Sequence, residues 1–190
     1  MKLLTHRFEE ALVFTHRLHI HQLRKGSQVP YISHLLSVAG LVLESGGDED
    51  EAIAALLHDA VEDQGGRKTL ELISQRFGQR VADIVEACSD SFTLVKPPWK
   101  QRKEAYLAHL RNADPSVRLV SLADKVHNVR SILFSYQQIG DELWRRFKGG
   151  KEGTLWYYQS LAQIFQEQNN NPLVIELLRL VQELEKITSE

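Results

Sequence analysis

At 190 residues, with 43% hydrophobic and 25% charged side chains, the chain has the length and composition of a globular protein with a full apolar core. A net charge of -2 excludes the broad basic field of a general nucleic-acid binder. No apolar run approaches the roughly 20 residues that span a bilayer, and Glu9 and Glu10 follow Leu3 and Leu4 too closely for a secretory leader. The expectation is a cytoplasmic protein of one domain, residues 1–190, with neither a membrane nor a polymeric nucleic acid as partner. The single cysteine, Cys88, forms no internal disulfide and reads as a small core residue.

The elements read as helix after helix. Residues 3 to about 24 carry a 3.6-residue stripe through Leu4, Phe8, Ala11, Leu12, Thr15, Leu18 and Leu23. Gly26, Ser27 and Pro30 break it, and a second helix is predicted from Tyr31 to Glu44. Asp48 is placed to cap a third helix, which Gln64-Gly65-Gly66 ends. Thr69 is expected to cap a short helix to Phe77, and another runs from about Gln79 to Ser89. The stretch Ser91 to Pro98 is the longest candidate loop. A basic helix follows from Trp99 to Arg111, then a long one from Ser116 to about Gln138 behind Asp114-Pro115. A short segment, Glu142 to Phe147, leads into a Gly-rich turn, Lys148 to Gly153, and a helix from Leu155 to Gln166. The last helix, 172–187, has an apolar stripe through Leu173, Leu177, Leu180, Val181 and Leu184, which packs on its own domain or on a second copy in a homo-oligomer. No stretch alternates as a strand does. The fold class is all-α.

The residues that carry chemistry start with Ala54 to Asp63, Ala-Ala-Leu-Leu-His-Asp-Ala-Val-Glu-Asp. An imidazole and three carboxylates stand in and just beyond an apolar helical run, where an unpaired buried charge costs several kcal/mol. A bound cation would remove that cost, so His58 and Asp59 are read as metal ligands. On a continuing helix Glu62 and Asp63 lie one turn beyond them and would act on a water at the metal.

Two further helices repeat the pattern. His34 stands on the apolar helix of Leu35, Leu36, Val38 and Leu41, and Asp124 follows Leu119, Val120 and Leu122, with Asn128 a turn later. Together His34, His58, Asp59 and Asp124 make two imidazoles and two carboxylates, a set suited to Mn²⁺, Fe²⁺ or Zn²⁺ and not to Ca²⁺.

The order His, His-Asp, Asp on successive helices resembles the HD superfamily of metal-dependent phosphohydrolases. Arg24-Lys25-Gly26, Pro30-Tyr31-Ile32-Ser33-His34, Leu56-Leu57-His58-Asp59-Ala60-Val61-Glu62-Asp63, Phe77-Gly78 and Leu122-Ala123-Asp124-Lys125-Val126-His127-Asn128 resemble the hydrolase domain of the RelA/SpoT family and its stand-alone small alarmone hydrolases, over about residues 5–165. The resemblance implies an HD-type helical bundle holding one Mn²⁺ on His34, His58, Asp59 and Asp124. It implies that Glu62 and Asp63 activate water against the 3′-diphosphate of guanosine tetra- or pentaphosphate, giving GDP or GTP and pyrophosphate. Arg24 and Lys25 match the family's basic pair at the mouth of the site, and Asn128 a polar residue near the substrate phosphates. Tyr157 and Tyr158 stand where the family has an aromatic residue near the nucleoside. The partner so implied is a small guanine nucleotide.

Which of Glu62 and Asp63 is the base is left open by the sequence. Lys96, Lys100, Arg102 and Lys103, and Arg145, Arg146, Lys148 and Lys151, offer cations for phosphates, Lys151 and Tyr158 being the residues assigned to the substrate there. His16, His19 and His21 read as exposed histidines on an amphipathic helix. Glu86-Ala-Cys-Ser-Asp-Ser departs from the family pattern, which keeps open an HD phosphohydrolase for another nucleotide, such as a nucleoside mono- or triphosphate or NADPH. A catalytically dead nucleotide-binding protein is the third reading; such a relative is expected to have lost a ligand or an acid, and all six are present.

Overall fold

The computed structural model describes residues 3–89, 97–168 and 171–189. Its elements are α1 (His6–Leu18), α2 (Ile32–Glu44), α3 (Glu49–Leu57), α4 (Ala60–Asp63), α5 (Arg67–Phe77), α6 (Gln79–Cys88), α7 (Trp99–Arg111), α8 (Pro115–Ile139), a 3-10 helix (Gly140–Arg146), α9 (Gly150–Gln168) and α10 (Pro172–Ser189). Among the described residues the only strand-like pairing is an isolated bridge between Leu23 and Pro30. The fold class is all-α, as the helical periodicity indicates. The candidate loop from Ser91 and the cation Lys96 lie outside the described residues.

The chain divides into two compact units, Met1–Lys96 with Ala113–Ala123, and Pro97–Asn112 with Asp124–Glu190. In the first, α3 is the central helix, packed against α1, α2 and α6. Its six residues Ala52–Leu57 are all buried, joined by Leu35, Val38 and Val42 from α2 and by Val81 and Val85 from α6. A helix so enclosed needs its ends tied down, and Asp48 and Glu51 form a capping box at its start. In the second unit α9 packs against α7 and α10. The α10 stripe Leu173, Leu177, Leu180, Val181 and Leu184 is buried, and α10 packs on α9.

Several boundaries differ from the sequence reading, each for a local reason. The first helix stops at Leu18, and the chain turns back through Arg24 N–H to Val29 C=O at 2.8 Å, with Gly26 in the left-handed region at φ 71°. Thr69 is no cap: α5 begins at Arg67 behind Gly66, and the Thr69 hydroxyl donates to the Gln64 carbonyl at 2.5 Å. The Gly-rich turn is half helix, because α9 starts at Gly150, and Gly149 and Gly153 pack against an indole. A β-carbon at Gly149 would stand 2.6 Å from Trp99. Cys88 is half-buried, with Sγ 3.8 Å from Ser121 Oγ.

Candidate metal centre

The site in the first unit is built where α3 gives way to α4. The sequence reading expects one helix through Asp63; instead His58 and Asp59 form a turn between the two. The Ala55 carbonyl, which an unbroken helix would offer to the Asp59 N–H, lies 2.8 Å from His58 Nδ1. A carbonyl only accepts, so Nδ1 carries the proton and Nε2 keeps its lone pair. The Asp63 N–H still bonds to the Asp59 carbonyl at 3.0 Å, holding α4 as a single turn beyond the two candidate ligands.

From α2, His34 brings its ring to 5.2 Å from that of His58, edge to face. His34 is 1% and His58 4% exposed. Asp59 Oδ2 lies 3.5 Å from His34 Nε2 and 3.1 Å from His58 Nε2. The three side chains offer ligand atoms within 4.8 Å of one another. Two buried imidazoles and a half-buried carboxylate, one imidazole with its tautomer fixed by a backbone carbonyl, are the donor set a divalent ion requires.

Tyr31, to which the sequence reading gave no role, is the hub beside these ligands. Its hydroxyl donates to Asp59 Oδ2 at 2.7 Å, and burial together with the Asp59 carboxylate holds its pKa above the ordinary value, so it stays a donor. The Arg24 guanidinium lies 5.5 Å from the centre of its ring. Arg24 is half-buried and Lys25 exposed on the turn between α1 and α2.

His19 is a correction. It is 2% exposed, because its ring stacks on Tyr31 at 5.4 Å and 14°, whereas His16 and His21 are exposed as expected. Burial lowers its pKa, against the raising influence of Gln22, Asp59 and Asp63. The signal lies in the helical spacing, since His19 follows the buried Ala11 and Thr15 at intervals of four residues.

Glu62 is half-buried and Asp63 exposed, both on α4. Asp63 Oδ2 accepts from Gln22 Nε2 at 2.8 Å.

The other assigned residues belong to the second unit. Asp124 is buried, with Lys125 Nζ at 2.5 Å from Oδ2 and Asn128 Nδ2 at 2.5 Å from Oδ1. Burial works against the Lys125 charge, and the Asp124 carboxylate overrides it, holding the ammonium well above its ordinary pKa. Lys151 donates to the Thr188 carbonyl. Tyr158 is buried beside Tyr157, ring centres 5.6 Å apart. Lys100 and Lys103 lie over the rings of Trp156 and Tyr157, at 5.2 and 4.9 Å.

An all-helical chain with a buried His, His-Asp cluster at a helix break has the form of an HD domain. The chain belongs to the HD-domain family, whose sequence pattern matches residues 11–153, and is a hydrolase of that family. It is 41% identical over 126 residues to the guanosine-3′,5′-bis(diphosphate) 3′-pyrophosphohydrolase MESH1 of Xenopus tropicalis, covering 65% of this chain and 68% of that protein. The Homo sapiens protein of the same name is 37% identical over the same shares. The solved structure of a metazoan ortholog of SpoT that hydrolyses ppGpp matches with a TM-score of 0.77 over 96% of this chain and 98% of that one. At 24% identity that likeness speaks for the fold.

Proposed function

We propose that this chain hydrolyses guanosine 3′,5′-bis(diphosphate) to GDP and pyrophosphate, and the pentaphosphate to GTP and pyrophosphate, with Mn²⁺ as the divalent ion. One observation carries the reading: the His34, His58 and Asp59 ligand atoms converge within 4.8 Å, one turn before two adjacent acids, in a chain whose relatives are named for this reaction.

The chemical demand is clear. The oxygens of a diphosphate ester repel a nucleophile, and water is a poor one at neutral pH. A divalent ion, when bound, supplies positive charge for the phosphorus oxygens and makes water more acidic. Glu62 or Asp63 accepts the proton as the water oxygen bonds to the phosphorus next to O3′. The P–O3′ bond breaks, and the departing oxygen takes a proton to leave a free 3′-hydroxyl. Arg24 and Lys25 offset the charge of the diphosphate. Tyr31 holds the Asp59 carboxylate through its hydroxyl, which orients a ligand without changing its charge. The places of Asp124 as a fourth ligand, and of Asn128, Lys151 and Tyr158 at the nucleotide, rest on the family resemblance. The same reading sets the chain in the cytoplasm, with a small guanine nucleotide as its partner.

The test is a panel of nucleotides incubated with the chain and Mn²⁺, with phosphate and pyrophosphate measured separately. Pyrophosphate from guanosine tetraphosphate, abolished by a chelator and restored by Mn²⁺, is expected. Turnover that a chelator leaves untouched, or release confined to a nucleoside mono- or triphosphate or NADPH, would overturn it.

A further inference from the structure

The amide of Gln22 is engaged at both ends. Its Oε1 lies 2.7 Å from His19 Nδ1 and accepts from Gln64 Nε2 at 2.6 Å, while its Nε2 donates to Asp63 Oδ2 at 2.8 Å. An amide oxygen only accepts, so His19 Nδ1 carries its proton, and two donors converging on one oxygen fix which end of the amide faces Asp63. The brace is itself anchored. His19 is buried and stacked on Tyr31, and Gln64 directly follows α4. The His19 Nε2 has no hydrogen-bond partner among the described residues, so the ring's one hydrogen bond is spent on Gln22. A buried imidazole that makes a single bond, to an amide, is poorly explained by packing alone.

Asp63 has the opposite problem. It is exposed, at the end of a helix of four residues, where burial does not fix the carboxylate's rotamer. A group that must meet a reacting water loses rate steeply when displaced, so an exposed acid needs an external hold.

We propose that Gln22, braced by His19 and Gln64, is the positioning residue that fixes the Asp63 carboxylate for the hydrolytic step. This rests on the reading of Asp63 as one of the two working acids. Gln22 touches neither substrate nor ion in this account; it acts through Asp63.

The experiment measures kcat and KM for guanosine tetraphosphate with Mn²⁺, or for whichever nucleotide of the panel the wild-type chain turns over, together with Mn²⁺ affinity. Gln22→Glu keeps the shape and the acceptor but sets a carboxylate against Asp63, and kcat should fall roughly 10²-fold, the scale of an ångström of misplacement. Gln22→Leu removes the hold without adding a charge, and kcat should fall about 10-fold, half of that effect on the logarithmic scale. KM and Mn²⁺ affinity should stay within about 2-fold in both, since neither binding event uses this contact. His19→Phe keeps the stack and loses the donor, so kcat drops several-fold. His19→Asn, whose amide N–H can stand where Nδ1 does, restores most of it.

Unchanged kcat in Gln22→Glu, or a loss that lies in KM or Mn²⁺ affinity, overturns the proposal. Asp63→Asn separates this from the underlying reading. If Asp63→Asn is fully active, Asp63 is no working acid and the proposal falls with that reading. If it is inactive while Gln22→Glu is not, only the proposal falls. A thermal-unfolding cycle of Gln22→Leu and Asp63→Ala gives a readout independent of turnover. Non-additive shifts in Tm are expected, and additive shifts overturn the contact itself.

Discussion

The two ends of α3 carry the same kinds of side chain and put them to different use. At the start, Asp48, Asp50 and Glu51 face guanidinium groups: Arg80 lies 2.8 Å from Asp48 and 3.1 Å from Asp50, and Arg7 lies 2.8 Å from Asp50. Those carboxylates cap a helix and tie down its neighbours. At the other end, Asp59 faces two imidazoles and a tyrosine hydroxyl, at a place where the helix breaks. Acids beside arginines have their charge balanced as they stand, whereas an acid drawn up between two buried imidazoles is arranged for a cation. The partners, and not the acids, decide which end is the reactive one.

That contrast can be broken by substitution. His58→Ala and Asp59→Ala should lower kcat/KM by about 10³-fold, roughly 4 kcal/mol of lost transition-state stabilisation. Asp50→Asn, eight residues before His58, should leave kcat/KM unchanged. Steady-state assays at saturating Mn²⁺ decide it, and equal losses at both ends would erase the distinction. Tyr31→Phe keeps the ring and removes only the donor to Asp59. Mn²⁺ affinity should fall about 10-fold, the low end of what supporting partners of metal ligands contribute, as read by equilibrium titration.

At the structural end, Arg80→Ala should lower Tm by a few degrees with kcat unaltered. The Arg80 side chain is 48% exposed, so solvent screening limits its ion pairs to about 1 kcal/mol or less. The smallest effect is one of pH. His19 has a folded-state pKa below its ordinary 6.5, because burial outweighs the raising influence of Gln22, Asp59 and Asp63, and His58 adds to the lowering. The unfolded chain therefore binds more protons, and stability declines as pH falls below 6.5 toward the folded value; above 6.5 this contribution is constant. Unfolding measured at about pH 7.5 and about pH 5.5 should show a smaller acid loss in His19→Asn than in the wild type. Equal losses would place the acid sensitivity elsewhere.

Much of this was legible in the sequence, and the reasons are local. Trp99–Arg111 begins and ends where its Pro98 and its change of polarity place it, and α3 starts at Asp48 because a capping box is written in four consecutive residues. His34, His58 and Asp59 could be picked out because imidazoles and a carboxylate on apolar helices need an explanation, and the structure gathers them. What the sequence did not show depends on contacts distant in the chain. Polarity alone marks His19 as exposed, although it stands four residues after the buried Thr15 on the same helical face, and the ring it stacks on, Tyr31, is twelve residues further along the chain. The break at His58 depends on a side chain reaching a backbone carbonyl, which no periodicity reports. The start of α9 at Gly150 is hidden because glycine normally argues against a helix, and here the missing β-carbons of its neighbours Gly149 and Gly153 make room for Trp99.

The most direct test of the account is to locate the ion itself. Crystals of the Mn²⁺-loaded chain, with diffraction recorded at the manganese edge, should give one anomalous peak within bonding distance of His34 Nε2, His58 Nε2 and an Asp59 carboxylate oxygen. A peak placed elsewhere, or none at these three residues at saturating Mn²⁺, would contradict it.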